Sequence, residues 1–410
     1  MSNVIDCLPA SPEQLNPASA PTTIALCVPE IRGNEWRYVK ECLDTGWVSS
    51  AGSFVTRFEE MVAAYVGTRF AVATVNGTAA LHVALLAAGV EPEDEVLVST
   101  LTFIAPANAI RYAGAHPVFV DADLQTWQMD VSRIADFLEL QCRYKDRRLT
   151  NSSTGRRVRA IMPVHILGHP VDMDPLRAIA EKYELRIIED ATESLGAAYK
   201  GRRAGHLGNI ACFSFNGNKI ITTGGGGMVV TDDEIIANRI RHLTTQAKKD
   251  PIEYIHDEVG FNYRLTNIQA AVGCAQMELL DEYVAAKRRI AAAYDRNLDG
   301  VPGISALREP NYAFSTFWMY TVLVEPAAAG RDSRELMRTL AASGIQSRPL
   351  WQPLHRSKAH SGSYVLGGEI AEKINAKALS LPSSVGLSLD SVDTVSELVR
   401  NFQCDLNSSQ

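Results

Sequence analysis

The sequence predicts an α/β fold in which a large domain, built on a mostly parallel sheet, is followed by a smaller α+β domain. Three observations predict it. Short buried-strand patterns alternate with amphipathic helix patterns from residue 70 to residue 231, as in strands joined by helical crossovers. A capping-box pattern, Thr266-Asn267-Ile268-Gln269, opens a long helix whose apolar residues Ile268, Val272, Ala275, Leu279, Tyr283 and Ile290 recur at helical spacing. The chain length of 410 residues is enough for one large and one small domain.

Each element follows from local chemistry. Residues 1–23 are rich in Pro, Ser and Ala without periodicity and read as a flexible tail, or an arm on a neighbouring subunit. Pro29 to Tyr65 reads as helix in pieces, broken at Asp44-Thr45-Gly46-Trp47. Strands are expected at Phe70–Val75, Glu95–Ser99, Pro117–Asp121, Val158–Val164, Leu185–Asp190, Ile210–Phe215 and Gly227–Thr231. A helix from Thr78 carries Leu81, Leu85 and Ala88 on one face and stops at Gly89. Ala105 to Tyr112 is a second helix, and Asp174-Pro175 opens a third, with Asp174 as its N-cap. Residues 143–159 hold seven basic residues and one acidic one and read as an insertion loop, either solvated or an anion or partner site. The division is then 1–23 tail, 24–289 large domain with its N-terminal segment, and 290–410 small domain.

Composition narrows the function classes. Hydrophobic residues make up 46% and charged residues 21%, ordinary for a globular protein, and the net charge of -7 gives no global attraction to nucleic acid or anionic membrane. The cysteines are scattered without a CxxC pair, which suits a reduced, cytoplasmic protein. The N-terminus has no basic region followed by an apolar core, so no signal peptide is expected. No run of 18 apolar residues is present, so no membrane partner is expected either.

The chemistry centres on Lys219, within Ser214-Phe215-Asn216-Gly217-Asn218-Lys219 and ahead of Thr222-Thr223-Gly224-Gly225-Gly226-Gly227. Most lysines are solvated strand-end or surface residues. This one has apolar and glycine-rich flanks that let a ligand approach the backbone. Upstream, Leu185-Arg186-Ile187-Ile188-Glu189-Asp190 is a strand ending in acid, where ligands of open α/β sheets collect. A lysine and a strand-end aspartate suit pyridoxal phosphate: Lys219 would carry it as a Schiff base and Asp190 would pair with its pyridine nitrogen. Asn76-Gly77-Thr78, between a strand and a helix, suits the phosphate at a helix N-terminus, and Ser214 can donate to it. Phe103 could stack on the ring or be a core aromatic; His165 could approach the ring or be a satisfied core histidine. The glycine run lacks GxGxxG spacing, so a turn serving Lys219 explains it better than a nucleotide site. No metal-ligand pattern stands out.

Together, Gly77-Thr78, Thr102-Phe103, Glu189-Asp190-Ala191, Ser214 to Lys219 and Gly260-Phe261-Asn262-Tyr263-Arg264 resemble the DegT/DnrJ/EryC1/StrS-type pyridoxal-phosphate sugar aminotransferases of fold type I, over roughly residues 25–400. The resemblance implies that Lys219 is the Schiff-base lysine and proton shuttle, and that Asp190 pairs with the ring nitrogen. It further implies that Phe103 stacks on the ring, and that Gly77, Thr78 and Ser214 hold the phosphate. It has Asn262 reach the phosphate of a neighbouring subunit, hence a homodimer with shared active sites. Trp47, His165, Tyr320, Arg348 and His355 fall where the family approaches the sugar nucleotide. Where the family usually has Gln near the ring hydroxyl this chain has Glu193, which must be protonated or turned away. Asn216 replaces a common His and Gly225 a common Glu.

Gly46 to Ser50, His165 to Pro170 and Arg348 to His355 are similar to the legionaminic-acid and bacillosamine-type branch. That branch implies transfer of the amino group of L-glutamate to a UDP-linked 4-keto-6-deoxy-N-acetylhexosamine. The rivals are a 3-keto-sugar aminotransferase, a sugar 3-dehydratase (disfavoured because that branch has His in place of the lysine) and a non-catalytic cofactor-binding module.

Overall fold

Alternate residues of each strand enter different cores, and this sorts the helices into two layers. The computed structural model describes residues 23–250 and 252–402; the tail expected over residues 1–23 lies outside them except for Thr23, as do residues 403–410. The sheet strands are β1 Phe70–Thr74, β2 Glu95–Ser99, β3 His116–Val120, β4 Val158–Met162, β5 Arg186–Asp190, β6 Ile210–Ser214 and β7 Gly227–Thr231. They lie in the order β1-β7-β6-β5-β4-β2-β3, with Tyr364–Leu366 added beyond β3. β7 is antiparallel to both neighbours; the remaining pairings are parallel. This is the mostly parallel sheet that the sequence predicts.

The helices are α1 Glu35–Thr45, α2 Ser53–Val66, α3 Gly77–Ala87, α4 Ala105–Tyr112, α5 Val131–Leu140, α6 Met173–Lys182, α7 Glu234–Thr244, α8 Asn267–Met277 and α9 Leu280–Leu298. Val72, Val96, Val98, Ile188 and Cys212 point to the face covered by α3, α4 and α7. Their neighbours Ala71, Ala73, Ala211 and Phe213 point to the other face, against α2 and α8, and Leu97 and Ile187 reach that face beside α5 and α6. A period of two thus sets which strand residue can meet which helix.

A separate core forms around antiparallel strands Ile304–Ala306, Tyr320–Val324 and Ala378–Leu381 with the far half of α9 and helices Ser333–Ala342 and Leu389–Asn401. Two segments cross between the cores. Ile24, at the start of the described chain, bridges Ile345, and Tyr364–Leu366 returns to the large sheet beside β3.

Three local expectations are corrected. The N-cap of α6 is Asp172, not Asp174; Asp174 sits inside the first turn and pairs with Lys200 at 2.6 Å. The Thr266 capping box forms, but the long helix breaks after Met277. Leu279 leaves helical geometry (φ -113°, ψ 3°), and the Glu278 carboxylate there accepts from Asn34, Tyr38 and Arg57. Residues 143–159 are not an open loop. Cys142–Lys145 and Arg148–Asn151 form a hairpin, and Arg157 chelates Asp94 while Arg156 meets Glu93.

Gly227, opening β7, touches the residue that caps α3. A Cβ there would lie 2.5 Å from the Asn76 carbonyl carbon and oxygen, both backbone atoms that cannot swing aside. Gly227→Ala is expected to lower stability by about 1–3 kcal/mol and to loosen the first turn of α3, measured by urea unfolding and amide hydrogen exchange. A variant matching wild type in both would show that this contact does not set the start of α3.

Candidate active site

The C-terminal ends of β1, β5 and β6 open onto the N-terminus of α3, enclosing a cavity of about 390 Å³. Asn76, Thr78, Phe103, Thr192, Lys219 and Trp318 are among its walls. Asn76 caps α3, its side chain accepting from the Ala79 N–H at 2.7 Å. Gly77 and Thr78, the first helical residues, have N–H groups without intrahelical acceptors, so they suit an anion, as does the positive end of the helix dipole. Gly77 also lets α3 stand close to β6: a Cβ there would come within 2.8 Å of the Ser214 Cβ.

Asp190 ends β5 on the α3 face and is 2% exposed. Its Oδ1 accepts from the Thr192 N–H at 3.2 Å. Burial pushes its pKa up, opposed by the Thr192 hydrogen bonds and the charges of Lys219 and His165. A sealed carboxylate of this kind is costly without a cation opposite it, and a protonated pyridine nitrogen is one.

The Lys219 loop is tied down at both ends. The Lys219 N–H donates to the Asn216 carbonyl at 3.0 Å, the Thr223 N–H to the Phe215 carbonyl at 2.9 Å, and Gln269 Nε2 to the Gly225 carbonyl at 2.6 Å. Lys219 Nζ lies 3.7 Å from Glu193 Oε1 and 4.2 Å from the centroid of the Trp318 ring. Glu193 is buried, and its Oε2 accepts from the Leu167 N–H at 2.8 Å. Burial raises its pKa to about 7, against the pull of Lys219. A half-protonated glutamic acid can donate to a phenolate instead of repelling it. A helix N-terminus and a reachable lysine in one cavity, with the buried Asp190 behind its wall, fit pyridoxal phosphate.

Several residues expected at the site lie elsewhere. His165 is fully buried on the opposite face: Nε2 pairs with Glu189 at 3.1 Å and Nδ1 accepts from the Val171 N–H at 3.1 Å. It is the satisfied core histidine. Tyr320 is 2% exposed in the small core, stacked on Tyr294 and donating to Asp295 at 2.8 Å. Both ring nitrogens of His355 are engaged, by Thr100 at 2.7 Å and Glu372 at 2.9 Å. Trp47, Arg348 and Asn262 are exposed and do not line this cavity. Phe103, 55% exposed, stands at its wall.

Sequence reasoning missed Thr192, Trp318 and Trp351 in the cavity wall. Trp318 lies two residues before Tyr320, and Phe317, just ahead of Trp318, takes a left-handed φ of 48°. That backbone turn aims the indole across the domains, and no periodicity in the sequence encodes it.

Glu193 generates a pH prediction. Folded, it keeps its proton to about pH 7; unfolded, only to about 4.5. Between those values the folded state binds more protons, so wild-type stability falls as pH rises and levels off above 7. Glu193→Gln lacks this loss. Its stability advantage is expected to grow by roughly 3 kcal/mol between pH 4.5 and 8, read from urea unfolding of cofactor-free protein. Parallel curves for the two proteins would contradict this.

Comparison with known proteins agrees with the geometry. The profile of the DegT/DnrJ/EryC1/StrS aminotransferase family matches residues 29–400. The chain is 42% identical to a GDP-perosamine synthase of Caulobacter vibrioides over 91% of this chain and 96% of the relative. It is 41% identical to that of Escherichia coli O157:H7 over 92% and 98%. Among solved structures, DesI crystallised in the presence of its TDP-sugar product superimposes with a TM-score of 0.83 at 30% identity, covering 95% of each chain. The two relatives are named for a GDP-linked sugar, where the sequence reading expected a UDP-linked one. The chain is a sugar aminotransferase acting on nucleotide sugars and dependent on pyridoxal phosphate. It belongs to the DegT/DnrJ/EryC1/StrS aminotransferase family, of fold type I.

Proposed function

We propose that this enzyme moves the amino group of L-glutamate to the 4-keto group of a GDP-linked 4-keto-6-deoxy sugar, giving an amino sugar nucleotide of the perosamine type. The observation that carries the chemistry is the cavity shared by Lys219 and the N-terminus of α3, with buried Asp190 behind its wall, bonded to the lining residue Thr192. The GDP-linked sugar rests on the two synthases 42% and 41% identical over nearly the whole chain.

Bound pyridoxal phosphate supplies an electron sink for the amino acid's α-carbon. Lys219 Nζ would anchor it and, once freed as a neutral amine, would take up and return the α-proton of the amino acid, and likewise for the sugar. Asp190 keeps the ring nitrogen protonated. The N–H groups of Gly77 and Thr78, with the Ser214 hydroxyl, bind the phosphate. Phe103 would stack on the ring, and Glu193, in its protonated form, would donate to the ring oxygen. Trp47 and Arg348, both exposed, are left to contact the sugar nucleotide.

Asn262 is assigned to the phosphate site of a second copy, in a homodimer. Its exposure supports this, as do exposed apolar side chains on the same region, Ile252 (83%), Tyr254 (69%) and Val259 (84%).

The test supplies holoenzyme and L-glutamate with GDP- and UDP-linked 4-keto-6-deoxy sugars and identifies products by NMR. The GDP-linked acceptor is expected to give the 4-amino product with at least ~10-fold higher kcat/KM, a difference of about 1.4 kcal/mol. Preference for the UDP-linked sugar would restore the bacillosamine-type reading, and amination at C3 would overturn the regiochemistry. Lys219→Ala is expected to lower turnover by at least ~10³-fold; near-wild-type turnover would sink its assignment.

A further inference from the structure

Outside the cavity, Lys287 is a buried cation that the reaction does not use. It sits on α9, 1% exposed. Its ammonium donates to the Trp318 carbonyl at 2.8 Å, to the Ser383 carbonyl, and towards the Cys27 sulfur at 3.6 Å. Among the described residues it forms no ion pair with a carboxylate. Burial pushes its pKa down, with Cys27 opposing. Removing an ammonium from water for two carbonyls and a thiol costs several kcal/mol. A methionine or leucine would fill the same space without that cost, so the polar contacts themselves are the gain.

Those contacts converge on the catalytic lysine. The Asn218 carbonyl, one residue before Lys219, accepts from Trp318 Nε1 at 2.7 Å and from Cys27 Sγ at 3.2 Å. Lys287 therefore holds both donors of that carbonyl, Trp318 by its backbone and Cys27 by its thiol. Trp318 in turn lays its ring on Lys219 Nζ, an attraction that grows in a desolvated site. The node joins the first described segment, the interdomain helix and two small-domain loops to the cofactor loop.

We propose that Lys287 is a positioning residue of the transamination site, acting through Trp318 to hold the indole against the Lys219 side chain and the Asn218 carbonyl. The inference rests on the reading of Lys219 as the cofactor lysine. When Lys219 is displaced by substrate, the ring gives the freed neutral amine a fixed place from which to take up the α-proton, and then faces the ammonium so formed.

The experiment compares Lys287→Met, Trp318→Phe and the double variant as full-length holoenzymes. The first readout is the maximal rate of the donor half-reaction, followed in the cofactor's visible absorbance after mixing with L-glutamate. Each single variant is expected to be about 10-fold slower, and the double variant within about 2-fold of the slower single one, because both remove one device. A double variant about 100-fold slower, the product of independent effects, overturns the proposal. So does a Lys287→Met holoenzyme at wild-type rate.

The second readout needs no turnover. The near-ultraviolet circular dichroism difference between wild type and Trp318→Phe reports the setting of that indole. The same difference taken in the Lys287→Met background is expected to lose most of its amplitude; an unchanged difference overturns the proposal. Should Lys287→Met not fold, Cys27→Ala, which removes one ammonium partner and one Asn218 donor, takes its place under the same additivity criterion. Lys219→Ala is the control: if it still shows the visible band of lysine-bound cofactor, the Lys219 reading fails, whatever Lys287 does.

Discussion

The structure turns on one buried carboxylate. Asp190 closes β5 at the middle of the sheet, almost without solvent. An ionised acid there is tolerable only when opposed by positive charge, and the cavity in front of it is where that charge enters. Every nearby device has meaning relative to this requirement. In the proposed function Lys219 would provide a covalent tether and the start of α3 an anion cradle, together placing a flat cation against Asp190.

The opposite face of the same strand explains why Asp190 can be held so still. Glu189, its neighbour, points the other way and accepts N–H bonds from Gly205, Leu207 and Gly208 as well as pairing with His165. Burial works against its charge, but His165 and those donors outweigh it and keep its pKa below the usual value. The pair of adjacent acids is therefore divided by the pleat. One is satisfied by protein and fixes the strand end; the other, in the proposed function, would serve the cofactor. Such division costs no extra chain, because period-two alternation supplies it.

That same alternation marks how far the sequence could be read. The strands and the α3 turn are local events, and their patterns of β-branched residues, glycine and capping side chains announce them. That Lys219 and the Gly77-Thr78 turn meet at one cavity, with Asp190 at the end of the strand beside it, was legible because each follows or ends a strand whose neighbours are small or glycine-rich. His165 was not, since only the fold reveals that it shares a face with Glu189. Tyr320 and Trp318 show the same limit. Both are aromatics near one strand, yet Tyr320 stacks on Tyr294 in the small core while Trp318 reaches Lys219 and the Asn218 carbonyl, a difference that no local pattern encodes. The α8–α9 break was hidden because its cause, the Glu278 contacts with Asn34, Tyr38 and Arg57, is more than 200 residues away in sequence.

The central claim is that Asp190 meets a cationic ring nitrogen. The most direct measurement is the 15N chemical shift of pyridoxal phosphate labelled at the ring nitrogen and bound to the wild-type enzyme and to Asp190→Asn. The account predicts a protonated nitrogen in the wild type at neutral pH and an unprotonated one in the variant. An unprotonated nitrogen in the wild type, or one indifferent to the substitution, would contradict it.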